Sequence, residues 1–156
     1  MDFLGDAATY AISLALLGLT LKWRALAALL KGTAMVIFGF WVIGAAGFYA
    51  LTGQTPSAPL MSSIGLAVLA ANLTSALVLF QFRTGDSNRR SVWLCTRNDA
   101  ISNVAVIVAG GAVFATNTGW PDALVGVTMG GLALYSAHQI IAQARHELTM
   151  VSAAPI

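Results

Sequence analysis

Residues 87–115 read SNRRSVWLCTRNDAISNVAVIVAGGAVFA, and the fold turns on where the helix in this stretch begins. A start at Ala100, capped by Asn98 or Asp99, leaves only about fifteen apolar residues before Asn117, too few to cross a bilayer core comfortably. A start near Ser87–Arg90 gives a full-length membrane helix and places Asp99 about two to three turns inside it. The longer helix is therefore expected, and with it an intramembrane carboxylate. Cys95 precedes Asp99 by four residues, a separation that puts both side chains on one helix face.

The rest of the chain agrees with a membrane setting. Hydrophobic residues make up 58% of the 156 residues and charged residues 9%, against about 25% charged in soluble domains. Mean hydropathy is +0.79. The apolar runs are continuous rather than alternating at period two, which selects helices over barrel strands. The expectation is an all-α integral membrane protein, a polytopic bundle with spans at 3–21, 25–51, 60–82, 90–114 and 121–144. Residues 1–150 form one transmembrane domain and 151–156 a short tail.

The eight basic residues lie in three groups: Lys22, Arg24 and Lys31; Arg83, Arg89, Arg90 and Arg97; and Arg145. The loops at 51–59 and 115–120 contain none. By the positive-inside rule the 22–31 turn, the 83–91 loop and the C-terminus face the cytoplasm. The net charge of +2 follows from this asymmetry and does not suggest nucleic acid. The opening residues are not expected to be a signal peptide, and a single cysteine excludes an internal disulfide framework. The first apolar run starts almost at Met1, as though another helix preceded it. No soluble enzyme motif is present.

Ionisable residues at membrane depth are expensive and usually functional. Here they are Asp2, Asp6, Cys95, Arg97, Asp99 and His138, with the amides Asn72, Asn98 and Asn103 as a second tier. Acids at 2 and 6 suit a helix dipole, and a lone buried cysteine often acts as a small hydrophobe. Repetition shifts the balance: DFLGD at 2–6 and CTRND at 95–99 each pair a ligand with an aspartate four residues on. Four donors from two helices can make a tetrahedral divalent-cation site, with zinc the natural occupant. Arg97, on another face, is expected to snorkel to the headgroups. Asn98 and Asn103 are expected beside the path, His138 near the cytoplasmic end of the last helix, and Trp23 and Trp120 at the interfaces. The Gly126/Gly130 pair allows close helix contact, within the bundle or between protomers.

With these residues in view the chain resembles the cation diffusion facilitators, proton-coupled exporters with six transmembrane helices. DFLGDAATYAISL matches the family's [His/Asp]-x-x-x-Asp pair on its second helix, CTRNDAISNVAVIVAG the pair on its fifth. AANLTSALVL, carrying Asn72, and TGWPDALVGVTMGGLALYSAHQIIAQARHEL match its fourth and sixth helices. The family's first helix and its C-terminal cytoplasmic domain have no counterpart here, and Cys95 replaces the usual histidine. The resemblance implies a zinc-like cargo with Asp2, Asp6, Cys95 and Asp99 as ligands. Asn72, Asn98 and Asn103 would support them. It further implies proton antiport, export across a bacterial inner membrane, a homodimer and no prosthetic group. The thiolate turns preference towards softer ions such as cadmium; cobalt is also compatible. Two other readings stay open: a small proton-coupled organic-cation exporter, and a truncated or accessory membrane subunit.

Overall fold

The computed structural model describes residues 10–53 and 58–153; Asp2 and Asp6 lie outside them. Every regular element among the described residues is helical: α1, described over residues 10–15, α2 (Leu21–Thr52), α3 (Ala58–Leu79), α4 (Ser87–Thr116) and α5 (Trp120–Ala153). A single 3-10 turn, Phe80–Phe82, follows α3. Among the described residues, helices fall within each of the five expected runs. Helices α2, α4 and α5 are each long and apolar enough to cross a membrane.

Helix α4 takes the longer of the two possible starts. Asp86 is its N-cap, with the carboxylate accepting from the backbone N–H groups of Asn88 and Arg89 at 3.0 and 3.2 Å. This satisfies two of the donors that a helix start leaves orphaned. At the far end Asn117 adopts a left-handed φ of 52°, and its N–H closes on Val113 O at 2.8 Å. Neither Asn98 nor Asp99 caps anything; both lie in the helix interior, Asp99 about 18 Å from its start at 1.5 Å per residue.

Helix α2 packs most extensively against α5, and its sequence shows why. Ala25, Gly32, Gly39 and Ala46 are all buried and recur every seven residues. A seven-residue repeat lags an ideal helix by about 20° per heptad, so the seam stays continuous along a slightly crossed partner. Small side chains let the backbones approach, as membrane helices require in place of a hydrophobic driving force. A Cβ on Gly130 would sit 2.9 Å from Gly39 O and 2.5 Å from Ile43 Cγ1; one on Gly126 would meet Ala46 Cβ at 2.9 Å. The Gly126/Gly130 pair is thus used inside the bundle. Ala25, Ala28, Leu94, Ile140 and Ala144 join α2, α4 and α5 in one core, with Met35, Trp93 and Leu148 packed against it. Large apolar residues such as Trp41, Phe114 and Leu124 face outward, as lipid contact demands.

Two expected boundaries are corrected. Residues 22–31 are not a turn: Lys22, Arg24 and Lys31 occupy the first three turns of α2. The last helix does not stop near 144 but continues to Ala153, so residues 151–153 of the expected tail are helical. In both cases polar residues that look like a loop ending are held in helix by partners on other elements, Lys31 and Glu147 above all.

Candidate functional site

Cys95 and Asp99 stand one turn apart on an uninterrupted α4, both partly buried. Across from them, on α2, the thioether of Met35 lies 3.6 Å from the Cys95 thiol. The site therefore presents two sulfurs from different helices and a carboxylate one turn further along. Thiolate and thioether are soft donors that suit zinc, cadmium or copper(I) better than manganese or magnesium. Among the described residues no three His, Cys, Asp or Glu side chains cluster around one point, and the expected ligands Asp2 and Asp6 fall outside that set. The neighbouring contact comes from α1, where Tyr10 hydrogen-bonds Thr96 at 2.6 Å.

The remaining sequence-named residues separate. Asn98 turns towards α5, where its Nδ2 donates to Ser136 Oγ at 3.0 Å. Arg97 does not snorkel: its Nη2 donates to Asn98 Oδ1 at 3.0 Å and to the buried Ser136 at 3.1 Å. A residue so far inside α4 finds polar partners on α5 closer than the headgroups. Asn103, one turn beyond Asp99, buries an amide nitrogen that has no hydrogen-bond partner among the described residues. Asn72 is buried on α3. His138 is exposed on α5.

Three residues that matter here carry no motif. Met35 reads as one more apolar residue in a span. Glu147 lies beyond the expected end of the last helix, yet it is buried, accepting from the backbone N–H of Ser87 at 2.7 Å and from the Ser87 hydroxyl. A carboxylate at that place meets the positive end of the α4 dipole. Gln143 braces it, donating to Glu147 Oε1 at 3.0 Å and to Gly85 O at 2.9 Å. Beside it Arg24 pairs with Asp86 at 2.8 Å, and Arg90 reaches Gln139 at 2.6 Å. Lys31 is the third. Its ammonium is buried between α1 and α4, donating to Ser13 Oγ, to Asn88 Oδ1 at 2.6 Å and to Ser91 Oγ at 3.4 Å. The one available signal for it was the interruption of an apolar run by a single lysine. All these contacts gather at the end of the bundle that holds the basic residues.

No curated protein matches this chain. A family model, that of the cation efflux transmembrane domain, matches residues 20–149, a range that takes in α2 to α5 and with them Cys95 and Asp99 but not Asp2 or Asp6. Together with a helical bundle that includes helices of membrane-crossing length, this establishes that the chain belongs to the cation efflux family, a family of membrane cation transporters rather than enzymes.

Proposed function

We propose that the chain carries a zinc-like divalent cation out of the cytoplasm in exchange for protons, with Asp2, Asp6, Cys95 and Asp99 as ligands. The observation that carries this reading is the Cys95–Asp99 pair on one face of an unbroken membrane helix, with a second sulfur donor 3.6 Å from the thiol. Tyr10, four residues beyond Asp6 in the chain, bonds Thr96 beside Cys95, which brings α1 against α4. Soft donors favour zinc or cadmium as cargo over manganese.

The chemistry of exchange follows from the donor types. Thiol and carboxyl groups bind metal only when deprotonated, so loading with metal releases protons and loading with protons releases metal. Alternating exposure of the site to the two faces makes that competition an antiport. The basic end of the bundle is assigned to the cytoplasm, following the positive-inside pattern, in a bacterial inner membrane; the functional unit is proposed to be a homodimer.

The test is metal efflux measured with a zinc-sensitive dye in proteoliposomes under a proton gradient. Asp99→Ala is expected to reduce the rate by about 100-fold, in line with loss of one ligand from a few-ligand site. Transport by the Asp99→Ala protein at the unsubstituted rate overturns the assignment.

A further inference from the structure

A buried ammonium on α2, one turn before Met35, cannot itself ligate a metal ion, since a lysine cation repels the cargo. Lys31 is 9% exposed, and Ser87, Asn88 and Ser91 beside it on α4 are fully buried. Three acceptors match its three protons, one from α1 and two from the first turns of α4. Asn88 also donates to Ser13 O at 3.3 Å, and Ser91 donates to Asn88 O at 2.7 Å. Among the described residues no carboxylate lies within ion-pair distance of Lys31; Asp86 pairs with Arg24 and Arg89 instead. A buried charge with no counter-ion in contact, Asp86 and Cys95 acting on it only at longer range, is a poor way to stabilise a fold, and an apolar residue of similar size usually does better.

The position of the ammonium gives it a use. Along α2 the order is Lys31, then Met35; along α4 it is Asn88 and Ser91, then Cys95. The lysine cluster therefore lies at a level between the sulfur pair and the basic end, and it ties three helices together there. We propose that Lys31 is a positioning residue of the transport cycle, a latch that closes the bundle between Cys95 and the basic end. This rests on the cation-transport reading above. Neutral acceptors hold the ammonium without the strong pairing of a carboxylate, so the latch can release. Once released, its flexible stem lets the charged head move towards the headgroups of the same face, leaving the path open and the cation out of it.

Cys95 is the sole cysteine of the chain, so its labelling reports on the latch directly. The full chain in membrane vesicles is treated with a charged, impermeant maleimide on each face in turn, and in parallel with a small permeant maleimide. The ratio of the two rates cancels any change in thiol reactivity. Lys31→Met, close in length and uncharged, is expected to raise the ratio about tenfold, as the loss of a buried charged hydrogen-bond cluster shifts a local opening equilibrium. The rise should occur only on the face where a C-terminal tag is accessible, because α5 ends beside the start of α4. If Lys31→Met does not fold, Ser13→Ala/Ser91→Ala removes acceptors but keeps the charge, and the same rise is expected. A ratio unchanged in the folded variant, or raised equally on both faces, overturns the latch. An unchanged ratio alongside lost transport in Asp99→Ala would sink the latch alone, while intact transport in Asp99→Ala would sink the transport reading itself.

Discussion

The α2–α5 seam and the α1–α2–α4 junction solve opposite problems within one bundle. Along the seam, Gly32 meets Ile140 and Ile141, Gly39 meets Gly130 and Ala46 meets Gly126, with almost no polar side-chain atoms, and contact depends on the absence of side chains. At the junction, Lys31, Ser13, Asn88 and Ser91 meet through hydrogen bonds, and contact depends on side chains being present. Steric packing of this kind has one arrangement, because a backbone oxygen cannot yield. A polar cluster can exchange partners. The difference teaches that α2 and α5 are built to stay together as a unit, whereas the polar contacts that Lys31 makes with α1 and α4 can be remade.

Gly130→Leu tests the rigid half most severely. The added side chain meets Gly39 O and Ile43, and overpacking of this sort lowers stability by about 1–3 kcal/mol, at the upper end here because backbone lies in the way. Thermal unfolding in detergent reads it, and an unshifted transition would show that the seam can part. Glu147→Gln comes next. The amide keeps the shape but loses the charge that holds Ser87, at about 1.5 kcal/mol for a charge-assisted bond. Its destabilisation should be the same in high salt, since the group is buried. Arg24→Gln should matter less, at under about 1 kcal/mol, because the Arg24–Asp86 pair is partly exposed, and its effect should fade with salt. His138→Ala should leave both stability and metal binding unchanged, within about 0.5 kcal/mol; a fall in zinc affinity by calorimetry would bring the last helix into the site.

Much of this bundle was legible from composition and spacing. Continuous apolar runs identify helices, and the length needed to span a bilayer places Asp99 inside the helix at 87–115. The break points were less legible. Residues 22–31 look like a basic loop because three lysine and arginine residues interrupt the apolar pattern, and the last span looks finished at 144 because polar residues follow. Both segments are helical since their polar side chains are satisfied elsewhere in the bundle: Lys31 by α1 and α4, Glu147 by the start of α4. Arg97 was misplaced for a related reason. Snorkelling is the cheapest fate for an arginine on a lone helix, but Ser136 on α5 offers a nearer acceptor.

What the sequence by itself determined is the class of molecule, the order of the described helices, and the placing of Cys95 with Asp99 on one face. These depend on hydrophobicity and on helical period, both properties of local sequence. Only the tertiary structure decided that Met35 brings a second sulfur to Cys95, that Gly126 and Gly130 close on α2, and that Lys31 bridges α1 to α4. Each of these joins residues 18 to 91 positions apart in the chain. No helical repeat encodes which faces of different helices will meet; that is settled only when all of them pack at once.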